Sequence, residues 1–225
     1  ERKGVMTREA LQFGVAPAKG LLLVGVPGTG KSLTAKAVAA EWELPLLKFE
    51  VGKVFQGLVG SSEANIRRVI QVAETVAPCV LLIDELEKAF AGAGSSGATD
   101  SGVTSRVFGT FLNWLQDKTK LVFVVCSANK VSLLPPELLR AGRFDEVFAL
   151  DLPSPEEREE IFQIHLTRKG RQLRSLMPAV EASDNFSGAE IESVVNKALI
   201  RAFGRRRQDG KADVTVDDLV AACRE

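Results

Sequence analysis

The chain has 225 residues, 45% hydrophobic, with 29 Lys plus Arg against 29 Asp plus Glu, which suits one large domain or a domain with a small appendage around a sizeable core. Zero net charge removes any bulk electrostatic case for nucleic acid or an anionic membrane as the main partner. Three unpaired-looking cysteines, Cys79, Cys126 and Cys223, exclude a disulfide framework, no apolar run is long enough to span a bilayer, and the charged start Glu1-Arg2-Lys3-Gly4 reads as cut from a longer protein.

Short β-branched runs alternate with longer stretches of helical spacing. Leu21–Gly25 reads as a buried strand, Lys31–Trp42 as a helix and Pro45–Phe49 as a second strand. Glu63–Ala77 reads as a helix with Ile66, Val69, Ile70 and Ala73 on one face, Val80–Asp84 as a third strand and Val103–Leu115 as another helix. Leu121–Cys126 and Val147–Leu150 complete the strands. This alternation predicts βαβ units and a parallel sheet sandwiched by helices. Ala91–Gly102, made of Gly, Ala, Ser and Thr with one Asp, reads as a loop. After Pro153 the strand signals stop. Pro155–His165 is a helix with an acidic first turn, Ser187–Phe203 is a helix whose Ser187 and Glu190 form a capping box, and Thr215 or Asp217 opens a last short helix ending near Cys223. The expected division is an α/β nucleotide-binding domain over 1–152 and a small all-α domain over 153–225.

Chemistry is first legible at Gly25-Val26-Pro27-Gly28-Thr29-Gly30-Lys31-Ser32. The pattern G-x-x-x-x-G-K-[ST] lets glycines curl the backbone so that successive N–H groups face phosphate oxygens, and the following helix adds its positive end. Lys31 should reach the β- and γ-phosphates and Ser32 should bind Mg²⁺. The candidate nucleotide-binding stretch runs from Gly25 through Leu33. A second motif, Val80 to Glu85, is an apolar strand ending in two carboxylates. Asp84 would hold Mg²⁺, directly or through water, and Glu85 would act as general base toward the attacking water.

With these motifs in place the chain resembles the AAA+ ATPases, and within them the AAA clade proper, which includes the membrane-anchored AAA proteases, katanin and spastin, and the proteasomal ATPases. The resemblance runs from about Gly14 to Asp218. Pro17 to Leu23 is similar to the family's run into its first strand. Ser127-Ala128-Asn129 looks like the sensor-1 site, Leu138 to Asp145 resembles the second region of homology, and Ser187-Gly188-Ala189-Glu190 resembles the start of a lid helix. The resemblance implies an ATP-hydrolysing ring, usually of six subunits, that uses Mg²⁺ and converts ATP to ADP and phosphate. It implies that Asn129 contacts the γ-phosphate or the water and that Arg143 is an arginine finger reaching the neighbour's nucleotide. It places His165 near the base or ribose, although a lone histidine in an amphipathic helix also reads as packing. Gly188 and Ala189 would line the adenine pocket.

Two departures matter. Relatives often carry a second arginine where this chain has Glu146, after Phe144 and Asp145, and a carboxylate cannot replace a guanidinium toward phosphate. The pore-loop position holds Gly57-Leu58-Val59-Gly60, and Leu58 lacks an aromatic ring's grip. Together with Pro78-Cys79 and the Gly142 to Glu146 run, these features look most similar to the AAA proteins known as hypothetical reading frames in plastids and cyanobacteria and to their bacterial relatives. The expected function is remodelling or partial threading of a protein client; the alternative is an ATP-driven switch or assembly factor that threads nothing. A nucleic-acid motor rests only on Arg201 and Arg205-Arg206-Arg207, and no nucleic acid partner is expected. The absence of His-Glu-x-x-His leaves a metalloprotease without support. The expected compartment is the cytoplasm, or the plastid stroma for a plastid-encoded chain.

Overall fold

Short apolar runs form five strands, of which the central three are near-continuous Val, Leu and Ile runs buried on both faces and the two edge strands are partly or largely exposed. In chain order the strands are β1 (Gly20–Gly25), β2 (Leu46–Glu50), β3 (Cys79–Asp84), β4 (Val122–Ala128) and β5 (Glu146–Leu150). The computed structural model describes residues 4, 6–51, 61–89, 98–140, 142–210 and 212–225. Leu58 and most of the Gly- and Ser-rich loop lie outside the described residues. All pairings are parallel, in the order β2-β3-β4-β1-β5.

The helices of this region are α1 (Arg8–Gln12), α2 (Lys31–Glu41), α3 (Ser61–Val76) and α4 (Ala98–Asp117). Strand residues divide between the two faces with period two. Leu22, Val24, Leu81, Ile83, Val122 and Val124 meet Ile66 and Ala73 of α3 and Phe108, Phe111, Leu112 and Leu115 of α4. Leu23, Val80, Leu82, Phe123 and Val125 meet Ala35 and Ala39 of α2, together with Met6 and Ala18. Helices on both faces of a parallel sheet are what the alternating pattern predicts. The thiols of Cys79 and Cys126 are free and buried in this core.

One expectation is corrected. The segment Ala91–Gly102 reads as loop, yet residues 98–102 are helical and α4 begins at Ala98 rather than Val103. Thr, Asp and Ser are favoured in loops and in the first turn of a helix alike, so composition does not separate the two. The buried Phe108, Phe111, Leu112 and Leu115 hold the helix, and extending an existing helix costs far less than nucleating one.

The chain forms two compact units, Glu1–Gly25 with Lys31–Leu150, and Val26–Gly30 with Asp151–Glu225. The second is all-helical beyond its loop: α5 (Pro155–Arg168), α6 (Met177–Ala182), α7 (Gly188–Asp209) and α8 (Val216–Cys223). Three capping boxes start α5, α7 and α8, from Ser154–Glu157, Ser187–Glu190 and Thr215–Asp218. Phe162, Leu166, Val180, Ile191, Val195 and Leu219 are buried in its core.

Candidate functional site

Because every strand is parallel, β1, β3 and β4 end on one edge of the sheet. β1 is central, between β4 and β5, and the carboxyl ends of the strands in such an open parallel sheet are where ligands bind. Lys31 and Ser32, at the start of α2, meet the end of β3 here. The Ser32 hydroxyl lies 3.0 and 2.9 Å from the two carboxylate oxygens of Asp84. The Lys48 ammonium stands 3.7 Å from Asp84 Oδ2. Lys31 is 7% exposed and donates from Nζ to the Gly25 carbonyl at 2.7 Å. Burial lowers its pKa, and the carboxylates of Glu87, Asp84 and Glu85 oppose that shift. A buried ammonium amid carboxylates at a glycine-rich turn is a cation arranged to meet an anion.

Glu85 follows β3 with φ 58°, a left-handed backbone that glycine adopts freely and glutamate does not. Its N–H donates to Ser127 Oγ at 3.0 Å, and its Oε2 lies 2.5 Å from Lys88 Nζ. Ser127 in turn donates to Asp84 Oδ1 at 2.5 Å. Asn129, just past β4, donates from Nδ2 to Glu87 Oε1 at 2.7 Å. An ionised carboxylate only accepts, so Asn129 turns its amide nitrogen toward Glu87 and leaves its oxygen facing elsewhere. Glu87 is 7% exposed, and its Oε2 has no partner among the described residues. Sequence reading passed over Ser127 and Glu87 as chemical groups. The available signals were a lone hydroxyl in an otherwise apolar strand and a third carboxylate two residues after Glu85.

The remaining loop residues belong to the helical unit. Gly28 and Gly30 have φ 83° and 89°. Thr29 Oγ1 donates to the Val26 carbonyl at 2.8 Å, and the Ala189 N–H donates to the Gly28 carbonyl at 3.2 Å. A Cβ on Gly28 would lie 2.6 Å from Ser187 Oγ and 3.1 Å from Ala189 Cβ. Gly188 follows the Ser187 cap at the first position of α7. His165 lies on α5 with Nδ1 4.0 Å from Glu192 Oε1, and burial lowers its pKa. Leu33 is largely exposed on α2, as are Val26 and Pro27 on the loop.

Arg143 lies in the loop before β5, where its guanidinium donates to the Glu137 carbonyl. That loop is fastened to the start of β1. Lys19 Nζ donates to the Gly142 carbonyl at 2.5 Å, Asp145 Oδ2 accepts from the Lys19 and Gly20 N–H groups at 2.9 and 3.0 Å, and Phe144 is buried. Asp145 thus has a structural task, while Glu146 opens the exposed edge strand β5. In the basic cluster, Arg205 pairs with Asp218 and Arg201 with Glu225.

The donors suit a magnesium nucleotide. Ser32 and Asp84 offer adjacent oxygen ligands, and Mg²⁺ is commonly held by one or two protein oxygens with water and phosphate completing its shell. Among the described residues no group of three or more His, Cys, Asp and Glu could hold a metal. Around Gly30 a Cβ would meet nothing within 4 Å, which leaves room beside the loop for a ligand.

Comparison with known proteins agrees with this chemistry. The model of the family described as ATPase family associated with various cellular activities (AAA) matches residues 21–152, more than half the chain. The AAA domain-containing protein ycf46 of Trieres chinensis is 49% identical over 228 residues, covering 100% of this chain and 44% of that relative. Its counterpart in Guillardia theta is 50% identical over 95% of this chain and 42% of its own length. The proteasome-activating nucleotidase of Saccharolobus solfataricus is 34% identical over 94% of this chain and 53% of its own length. The chain therefore spans about half the length, or less, of these relatives.

Proposed function

The chain belongs to the AAA family of ATPases, and from that premise we propose that it hydrolyses ATP at the Lys31–Asp84 site as a subunit of a ring in which Arg143 serves the neighbouring copy, and uses the cycle to remodel a protein client. The observation that carries this reading is the Ser32–Asp84 contact at 2.9 Å beside the buried Lys31. It brings together a phosphate-binding cation and two magnesium-type ligands.

Lys31 and the backbone N–H groups of Gly28 to Ser32 would bind the β- and γ-phosphates. Ser32 and Asp84 would hold Mg²⁺, which would neutralise phosphate charge. Glu85 would accept the proton of the attacking water. Asn129, its amide turned by Glu87, would present its oxygen to that water. Arg143 from a neighbouring copy would balance the charge that develops on the transferred phosphoryl group. We assign the helical unit the role of a lid, with Gly188 and Ala189 near the base; His165, engaged with Glu192, has a packing role open to it as well. A protein client is supported by the Saccharolobus solfataricus relative, whose name states that it activates a proteasome. Among the described residues no helix is long and apolar enough to cross a membrane, and we place the protein in the cytoplasm or a plastid stroma. With Arg201 and Arg205 paired to carboxylates, the case for nucleic acid is weaker still.

Glu85→Gln is the direct test. It should bind ATP as the unsubstituted chain does while phosphate release falls by about 10²–10⁴; near-normal release would remove Glu85 from its role. A second reading, an ATP-driven switch that threads nothing, is favoured by Glu146 where relatives often have an arginine. Stimulation of phosphate release by an unfolded polypeptide supports remodelling, and indifference to every polypeptide supports the switch.

A further inference from the structure

We propose that Ser127 is a positioning residue of this site, a single hydroxyl that holds the metal-side carboxylate of Asp84 and the backbone of Glu85 in one arrangement. The proposal rests on the hydrolase reading above, and its test separates the two.

Ser127 is 1% exposed and lies in a strand whose other members are Val, Phe, Cys and Ala. A hydroxyl in such a place costs stability unless it is hydrogen-bonded, and a small apolar residue would pack there without that cost. Its bonds both run across the sheet to the end of β3. The ladder pairs Ile83 with Cys126, so one step further along each strand Asp84 and Glu85 meet Ser127.

The bond directions are fixed by chemistry. An ionised carboxylate can only accept, so the Ser127 proton points to Asp84 Oδ1 at 2.5 Å. A backbone N–H can only donate, so a Ser127 lone pair takes the Glu85 N–H at 3.0 Å. The hydroxyl's one proton is thereby committed to Asp84.

Each bond constrains a different part of the reaction. Asp84 also faces Ser32 through both oxygens, so the added bond on Oδ1 sets the plane in which the carboxylate can meet a metal. Glu85 sits at φ 58°, a conformation that persists only where its surroundings enforce it. The bond to its N–H is such an enforcement, and it sets the direction in which the Glu85 side chain leaves the backbone. Without the hydroxyl the chain can relax toward an ordinary backbone angle and carry the carboxylate away from the water. A residue that merely filled space would have neither consequence.

The experiment compares Ser127→Ala and Ser127→Thr with the unsubstituted full-length chain. In Ser127→Ala, kcat should fall about ten- to a hundredfold, as expected for losing bonds to a charged group and a catalytic backbone, with KM for ATP changed less than about threefold. Fluorescence titration should show ADP affinity without Mg²⁺ unchanged, while the Mg²⁺ concentration that half-enhances ADP binding rises several-fold. Ser127→Thr keeps the hydroxyl and should recover most of kcat. In a Glu85→Gln background, Ser127→Ala should lose the part of its rate effect that runs through the Glu85 carboxylate and keep the Mg²⁺ shift that runs through Asp84. Unchanged kcat and an unchanged Mg²⁺ midpoint in Ser127→Ala overturn the proposal, as does a folded Ser127→Thr that is as slow as the alanine variant. If the unsubstituted chain binds ADP yet releases no phosphate, the hydrolase reading fails on its own, and the Mg²⁺ midpoint still decides whether Ser127 positions Asp84.

Discussion

Buried polar groups differ between the helix starts of the second unit and the carboxyl edge of the sheet. In the helical unit, Ser187 and Asp218 are buried at helix starts and are satisfied by the caps they make, Asp218 by Thr215 and Arg205 as well. At the carboxyl edge of the sheet, Lys31 is buried and donates to the Gly25 carbonyl, Glu87 Oε2 has no hydrogen-bond partner among the described residues, and Glu85 holds a left-handed backbone. A group that settles locally marks stability, but strain or an unpaired atom alone does not mark chemistry: in the helical unit Arg158 Nε is also buried without a partner among the described residues and Asn185 also holds a left-handed backbone. What distinguishes the sheet edge is that such groups gather beside Lys31 and Asp84. Substitutions among the groups at the sheet edge should therefore damage turnover while sparing the fold, and those at the helix caps of the second unit the reverse.

The largest break in that comparison is expected from Arg143→Ala. It should lower phosphate release by about 10³–10⁵ with nucleotide binding intact, because in the proposed ring its target would be a neighbour's nucleotide; steady-state release and ADP titration measure the two separately. Gly28→Ala comes next and blurs the division. It forces a side chain onto φ 83° and against Ser187, and ADP affinity measured by titration should drop about tenfold or more.

Asp218→Ala sharpens the comparison from the helical side. It removes a cap and an ion pair whose arginine is 40% exposed, so we expect a loss of about 1–2 kcal/mol in denaturant unfolding with kcat little changed. The bond from Arg205 depresses the Asp218 pKa to about 2, below its unfolded value. Its stabilisation is therefore present above pH ~4 and lost as pH falls through about 2. Lys118 provides the smallest effect. It is buried under the sheet, donating to the Ala18 carbonyl at 2.8 Å, and burial lowers its pKa to about 8. The unfolded chain binds the extra proton between about 8 and 10.5, so stability rises with pH there. Between pH 7 and 9 the unsubstituted chain should gain about 1 kcal/mol relative to Lys118→Met.

The sequence was most legible where one physical rule decided the outcome. Strand runs such as Val80–Asp84 and the glycine-rich turn before Lys31 each have a pattern with few alternatives, and the five parallel strands followed. The start of α4 was hidden because Thr99, Asp100 and Ser101 suit loops and helix ends equally. The six-residue α6 was missed because Pro178 near its start reads as a breaker when no longer periodic run surrounds it. Ser127 and Glu87 were unreadable for another reason. Their roles depend on strand register and on a short turn after β3, neither of which is encoded by spacing along the chain.

The central claim is that hydrolysis needs Glu85 from one copy and Arg143 from the next, and mixing two inactive chains tests it most directly. Full-length Glu85→Gln and Arg143→Ala should each be nearly inactive alone. Mixed and allowed to exchange subunits, they should regain phosphate release, since some sites then combine an intact Glu85 with an intact Arg143. A mixture that exchanges subunits but stays as inactive as its components, or an Arg143→Ala chain that turns over normally, would contradict the account.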